Sequence, residues 1–209
     1  MKVFQLVCAL LLVLVGVPPA MADTQQAIVA LKQGGYVLVF RHGATDDSQK
    51  DVYPFRFDDM TAQRQLSEQG REMARQIGAA IKKLEIPIGD VYTSQLNRAI
   101  ETARLISGKD GNPVAALTDS SAASASSMAN PSGTNAKAGL ALKQLLDTPP
   151  RPATNTVLVT HKTNIADAFG KEASNVQEGE AFVYQSVQSG PATFVARIKA
   201  ADWIAQAGK

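Results

Sequence analysis

The fold is decided by the stretch Tyr36-Val37-Leu38-Val39-Phe40-Arg41-His42-Gly43. Its apolar half shows no alternation with polar residues, which is typical of a strand buried on both faces, as in a parallel sheet. Residues 156–160 (TVLVT) form a second run of this kind, and His161 follows it directly. The two runs predict a parallel sheet whose polar residues gather at one edge.

Segments with helical spacing alternate with the strands in the rest of the chain. The pattern predicts helices over 24–32, 67–84 with Ser67 as N-cap, 95–107 with Ser94 as N-cap, 138–146, 164–169 and 201–207. Further strands are predicted at 90–93, 113–117, 181–187 and 192–198. This alternation indicates an α/β protein, a three-layer α/β/α sandwich with a mostly parallel central sheet. No internal repeat and no second domain are visible, so residues 23–209 form one domain.

The composition excludes several classes of protein. The chain has 209 residues, of which 45% are hydrophobic and 19% are charged, and this is too apolar for a disordered chain. The formal net charge of +2 gives no basic surface for nucleic acid. Cys8 is the one cysteine, so no disulfide can form within the chain.

The first 22 residues have the three-part form of a secretory signal peptide. Lys2 precedes an apolar run over 3–17, and two prolines separate that run from Ala20-Met21-Ala22. A membrane anchor is the alternative, but the run is shorter than the about 20 residues of a bilayer span and has no basic residue behind it. We therefore expect cleavage after Ala22, no stable membrane anchor afterwards, and a periplasmic or secreted mature protein.

Two histidines and two arginines lie at or just beyond strand ends. Arg41 and His42 follow the first apolar run, His161 follows the second, and Arg98 lies shortly after the strand at 90–93. Ligands of parallel α/β sheets sit beyond the carboxyl ends of the strands. If the strands are neighbours, these four side chains converge there.

These residue types together are suited to phosphate chemistry. Guanidinium groups present donor forks that match phosphate oxygens, and an imidazole held by one nitrogen is a nucleophile through the other.

Each residue also has a simpler interpretation. The histidines could be structural, and Arg98 could be an exposed helix residue paired with Glu101. A zinc site would need a third ligand besides the two histidines, so no metal is expected.

Four blocks in order resemble the histidine phosphatase superfamily, the phosphoglycerate-mutase-like clan. They are VLVFRHGAT at 37–45, RQLSEQGREMA at 64–74, VYTSQLNRAIETA at 91–103 and VLVTH at 157–161. The resemblance implies that His42 takes the phosphoryl group, that Arg41, Arg98 and His161 bind its oxygens, and that water then hydrolyses the phosphohistidine. It implies no metal and no organic cofactor.

Family members that cleave phosphate esters also carry a carboxylic acid that protonates the leaving oxygen. In the family this residue follows the strand after the second arginine, and Asp119 occupies the matching place here, in Leu117-Thr118-Asp119. Glu180 is the second candidate, with an ordinary exposed turn carboxylate as its simpler interpretation.

The combined expectation is an exported phosphatase that acts on a phosphate monoester. Its partner would be a small phosphorylated substrate, for which an envelope phosphosugar is one option. Two alternatives stay open, a phosphohistidine-protein phosphatase and a non-catalytic phosphate- or phosphosugar-binding protein of the cell envelope. Residues 118–139 are rich in Ser, Ala and Gly, which predicts a loop without a large recognition lid.

Overall fold

The computed structural model of the chain describes residues 23–119 and 135–209. The signal peptide predicted at 1–22 and most of the loop predicted at 118–139 lie outside these residues. Within them, no helix is both long enough and apolar enough to cross a membrane.

The described residues form one six-stranded mixed sheet in the order β3-β2-β4-β1-β5-β6. The strands are β1 (Tyr36–Arg41), β2 (Ile88–Thr93), β3 (Asn112–Pro113), β4 (Asn155–Thr160), β5 (Ala181–Gln185) and β6 (Thr193–Ile198). The first four in spatial order run parallel, and β5 and β6 continue the sheet antiparallel beyond β1. The predicted mostly parallel sheet is confirmed.

The helices cover both faces of this sheet. They are α1 (Thr24–Leu31), α2 (Glu68–Lys83), α3 (Asn97–Ser107), α4 (Ala136–Leu146), α5 (Lys162–Phe169) and α6 (Ala200–Ala207). One core lies between the sheet and α1, α2, α3 and α6, and includes the buried Ile77 and Trp203. A second core lies between the other face and α4 and α5, and includes Leu142 and Ile165. The structure is therefore the expected three-layer sandwich.

The two strands that end in histidines are direct neighbours. β1 and β4 pair in parallel with Arg41 opposite Thr160, so the residues that follow both strands leave the sheet at the same edge. The His42 amide donates to the Thr160 carbonyl at 3.0 Å, which holds the ends of the strands together. This pairing brings His42 and His161 to one place.

The N-terminus of α2 packs closely against the loop that follows β1. The Ser67 hydroxyl accepts the Gly70 amide at 3.0 Å, as the predicted N-cap should. A Cβ at Gly70 would collide with the Ala44 carbonyl, so only glycine permits this approach. The close contact fixes the path of the chain beyond Gly43.

One predicted strand was wrong, and one predicted helix begins earlier than expected. The strand expected at 113–117 is reduced to Asn112–Pro113, because proline cannot donate to a ladder, and a 3-10 helix follows at Ala115–Leu117. Helix α4 begins inside the stretch predicted as a loop. The helix predicted at 138–146 is present but begins two residues earlier, at Ala136, because the Asn135 side chain accepts the Ala138 amide and caps it there.

Candidate active site

His42 and His161 lie side by side at the carboxyl edge of the sheet. Their ring centroids are 5.1 Å apart, and the two residues are only 5% and 2% exposed. The structure thus brings together the histidines that the sequence places at two separate strand ends. Nearly complete burial takes both rings out of bulk water, which strengthens every electrostatic contact they make.

The His42 ring is held by its own loop. Nδ1 lies 2.7 Å from the Gly43 carbonyl oxygen. A carbonyl can only accept, so Nδ1 carries the proton and the lone pair of Nε2 is left for other chemistry. Burial, followed by the nearby His161 and Arg98, holds the pKa of His42 well below its usual 6.5. His42 is therefore a neutral imidazole at pH 7, the form that acts as a nucleophile.

His161 is oriented by Ser94, which is fully buried. Its Nε2 lies 2.7 Å from the Ser94 Oγ, and this Oγ also accepts the Leu96 amide at 3.1 Å. The expectation that Ser94 caps the next helix was wrong, because α3 begins at Asn97 and its N-cap residue, Leu96, makes no side-chain cap. The structure instead places Ser94 where it fixes the orientation of a site histidine.

The other ring nitrogen of His161, Nδ1, is buried. It has no hydrogen-bond partner within the described part of the chain, and the nearest carboxylate oxygen, Asp119 Oδ2, is 4.0 Å away. Burial, followed by the charges of Arg98, Arg64 and Arg41, holds the pKa of His161 well below its usual value. The same three guanidinium groups would favour an anion at this place.

Arg98 is fully buried beside the histidines. Its Nη1 lies 3.0 Å from Asp51 Oδ1, and its Nη2 lies 3.5 Å from Asp119 Oδ2. The simpler interpretation of Arg98, an exposed residue paired with Glu101, was wrong. The Arg98 side chain turns inward to the site, and Glu101 accepts from Nε of Arg71 at 2.8 Å instead.

Arg41 approaches the histidines from the β5 side of the sheet. Its Nη1 donates to the Val176 carbonyl at 2.8 Å, and its Nη2 pairs with Glu178 Oε1 at 2.7 Å. Burial lowers the pKa of Arg41, and the negative charge of Glu178 partly offsets this decrease. Its Nε is buried without a partner within the described ranges.

Arg64 belongs to the same neighbourhood, and the sequence analysis missed it. Its charge acts on both Arg41 and His161, and its Nε is another buried donor for which the described residues supply no acceptor. Asp51 was missed too. Its Oδ1 accepts the Arg64 amide at 2.9 Å as well as Nη1 of Arg98. Arg64 stands in the quoted block at 64–74, which was read only as a helix start.

The two candidate acids have different environments. Asp119 lies at the site, where Oδ1 accepts the Thr163 hydroxyl at 2.7 Å and Oδ2 faces Arg98 and His161. Glu180 is only 1% exposed, and both its oxygens are bound, to Arg197 and to the Gln177 amide. Neither interpretation of Glu180 therefore fits, since it is a buried ion-pair residue and not an exposed turn carboxylate or a free acid.

The site contains several buried nitrogen atoms without a hydrogen-bond partner in the described ranges. The donors Nε of Arg41, Arg64 and Arg98 and the ring nitrogen Nδ1 of His161 are all buried and unpartnered among the residues of 23–119 and 135–209. A buried donor left without an acceptor costs about 1–3 kcal/mol. A tetrahedral oxyanion offers acceptors in several directions at once. The described residues contain no group of three or more His, Cys, Asp and Glu side chains that could hold a metal ion.

Comparison with known proteins points to the same chemistry. Residues 37–121 match the histidine phosphatase superfamily (branch 1). No curated protein matches the chain by sequence search. The fold and the matched segment define a histidine-type phosphatase of the phosphoglycerate-mutase-like type. Over residues 37–121, which are less than half of the chain, the protein is similar to the histidine phosphatase superfamily.

Solved structures of low sequence identity share the fold. The protein histidine phosphatase SixA complexed with tungstate has a TM-score of 0.52 at 15% identity, covering 80% of this chain and 98% of that one. A mycobacterial glucosyl-3-phosphoglycerate phosphatase has a TM-score of 0.52 at 16% identity, with coverages of 77% and 96%. The alpha-ribazole phosphatase from Shigella flexneri has a TM-score of 0.52 at 16% identity, with coverages of 77% and 95%.

Proposed function

We propose that this protein hydrolyses phosphate monoesters through a phosphohistidine on His42. The observation that carries the proposal is the 2.7 Å contact between His42 Nδ1 and the Gly43 carbonyl, which leaves Nε2 as the nucleophile. Nε2 attacks the phosphorus atom, and the bond from phosphorus to the ester oxygen breaks. Water then attacks the phosphohistidine, and inorganic phosphate and neutral imidazole are released.

Four cationic or polar groups would hold the phosphoryl oxygens. Arg41, Arg98 and His161 are the groups expected from the sequence, and the position of Arg64 adds a third guanidinium. Their buried and unpartnered N–H groups support this role, because donors already placed in a dry site need little reorganisation when charge develops. The contacts of Arg98 with Asp51 at 3.0 Å and with Asp119 at 3.5 Å would fix its guanidinium before substrate arrives.

Asp119 is the proposed general acid. In the first step its protonated carboxyl gives a proton to the departing oxygen, and in the second step its carboxylate takes a proton from the attacking water. The 4.0 Å separation from His161 Nδ1 supports a place beside the transferred group. Thr163 holds the other oxygen and so orients the carboxyl.

We further propose that the protein acts after export, in the periplasm or as a secreted protein. The signal-peptide pattern of residues 1–22 is the basis of this proposal. The substrate would be a small phosphorylated molecule, with an envelope phosphosugar as one option. Two neighbours of similar fold support small substrates by their names, glucosyl-3-phosphoglycerate phosphatase and alpha-ribazole phosphatase.

A phosphohistidine-protein phosphatase is the second candidate. This chain covers 98% of the protein histidine phosphatase SixA, so the two are similar in extent. Imidazole is an easier leaving group than an alcohol and has less need of a general acid. The role of Asp119 therefore discriminates between the two candidates.

The proposal is tested by the hydrolysis of an aryl phosphate. Purified residues 23–209 should release inorganic phosphate between about pH 5 and 8, the range around the ordinary pKa of histidine. The activity should persist with EDTA present, because the proposed mechanism uses no metal. Added Mg²⁺ or Zn²⁺ should not raise the rate. If the wild-type protein is silent with this good leaving group, the general phosphatase is excluded and tight phosphate binding alone would indicate a binding protein.

Replacing Asp119 by asparagine should separate substrates by their leaving groups. For an alkyl phosphate, kcat/KM should fall about 10²-fold or more, because the departing alkoxide needs a proton. For an aryl phosphate the decrease should be much smaller. Asp110→Asn, at an exposed carboxylate beyond α3, is the matched control and should change neither rate. Equal losses on both substrates would assign Asp119 to binding instead of proton transfer.

A further inference from the structure

Three aromatic side chains form a row on the loop between β1 and α2. The ring centroids of Tyr53 and Phe55 are 4.7 Å apart, and those of Phe55 and Phe57 are 6.0 Å apart. Tyr53 is 41% exposed and Phe57 is 38% exposed, so their rings reach solvent instead of the core. Exposed apolar clusters of this kind often mark binding surfaces. We call Tyr53, Phe55 and Phe57 the aromatic row.

The aromatic row is fixed close to the phosphate site. Asp51, which binds Arg98, is only two residues before Tyr53, so their Cα atoms lie within about 7 Å. Gln63 Nε2 donates to the carbonyls of Arg56 and Phe57 at 2.9 and 3.0 Å, and Gln63 Oε1 accepts the Asn97 amide. The loop is therefore anchored next to Arg98, within reach of the organic part of a bound phosphate ester.

The charge around the row limits what it can bind. Residues 46–60 contain five aspartates but only Lys50 and Arg56 as cations. This excess of negative charge disfavours an anionic membrane surface and any ligand with several further phosphates. A neutral ring with one flat apolar face and polar edges fits these aromatic rings and their polar surroundings. Its C–H face would lie on the aromatic rings, and its hydroxyls would meet the exposed side chains of Arg56 and Asp58.

We propose that the aromatic row is a subsite for the sugar ring of a phosphosugar whose phosphoryl group reaches His42. The inference rests on the proposed phosphatase function and adds the substrate class to it. The sugar ring stacks on Tyr53 and Phe57, which places the phosphate ester at the arginine cluster. The aromatic row contributes to binding and orientation and takes no part in bond breaking.

The test compares two alkyl phosphates that differ in the ring. For a hexose 6-phosphate, Tyr53→Ala and Phe57→Ala should each lower kcat/KM about three- to tenfold, as expected for the loss of one ring contact. For glycerol 3-phosphate, which has no ring, the change should stay within about twofold. Tyr53→Leu and Phe57→Leu keep apolar bulk without a flat face and should resemble the alanine variants. Val187→Ala, at a 39% exposed residue outside this loop, is the control and should change neither rate.

A binding measurement separates failure of this proposal from failure of the phosphatase proposal. Calorimetry on His42→Ala should show that hexose 6-phosphate binds more tightly than glycerol 3-phosphate and that Tyr53→Ala removes the difference. If this holds without turnover in the wild type, the subsite stands and the phosphatase function fails. If turnover is normal but the variants treat both substrates alike, the subsite is overturned. A stronger preference for phenyl phosphate or a nucleoside monophosphate would likewise overturn the assignment to sugars.

Discussion

Replacement of His42 by alanine is expected to abolish turnover of every phosphate monoester, with a loss in kcat/KM of about 10³-fold or more. Nε2 of His42 is the nucleophile in the proposed mechanism, and His161 is the other imidazole in the described part of the site. His161 cannot replace it, because its Nε2 is already engaged by the Ser94 hydroxyl at 2.7 Å. Initial rates of aryl phosphate hydrolysis measure the loss.

The same variant allows a direct assay of the covalent intermediate. Rapid quenching of the wild type with ³²P-labelled substrate should give a protein-bound label that is stable in alkali and lost in acid, as a phosphoramidate is. His42→Ala should give none, while it still binds a tetrahedral oxyanion such as tungstate through Arg41, Arg98 and His161. A label that persists in His42→Ala would assign the nucleophile to another residue.

The low pKa of His42 determines the sign of the pH dependence. Burial favours the neutral ring, so the free enzyme should keep its nucleophile as the pH falls through 6.5. After correction for ionisation of the substrate, the acid limb of kcat/KM should therefore lie below pH 6.5. An acid limb at or above 6.5 would show that His42 is solvated in the working enzyme.

His42, His161, Arg41 and Arg98 could be predicted from the sequence, because their positions at or just beyond strand ends depend only on local sequence. A buried apolar run predicts a parallel strand, and the residue after it must then lie at the ligand-binding edge. The pairing of β1 with β4 was not predictable from either run alone. Once it exists, however, the two histidines have to meet.

Other site residues could not be predicted, because their positions depend on tertiary contacts. Arg64 and Asp51 lie on an irregular loop whose path is fixed by Gln63 and by the close contact at Gly70, not by any periodicity. The residue type of Ser94 predicts a helix cap. In the structure its hydroxyl contacts His161 instead, and the local sequence gives no sign of this contact. Glu180 is predicted from the sequence either as the second candidate acid or as an exposed turn carboxylate, and its buried ion pair depends on the position of Arg197 in the fold.

Arg98 is expected to contribute to both stability and catalysis, and substitutions can separate the two. Arg98→Met keeps the volume but removes the charge that faces Asp51 and Asp119, whose side chains are only 9% and 14% exposed. Removing one partner from a buried ion pair is strongly destabilising, and we expect a loss of about 3 kcal/mol in the free energy of unfolding. Turnover should fall about 10²-fold or more, since a phosphoryl ligand is lost as well. Urea unfolding and initial rates measure the two effects.

The double variant Arg98→Met with Asp51→Asn distinguishes the two contributions of Arg98. It also removes the charge of the Asp51 carboxylate, which has lost its cationic partner, so the stability should recover in part, whereas turnover should stay as low as in the single variant. Arg104→Met, at an exposed arginine of the same helix, is the control and should change the stability by less than about 0.5 kcal/mol. If turnover recovers together with stability, Arg98 acts by holding the fold and its assignment to the phosphate is wrong. If turnover stays low in a restored fold, the buried guanidinium is needed for the reaction itself.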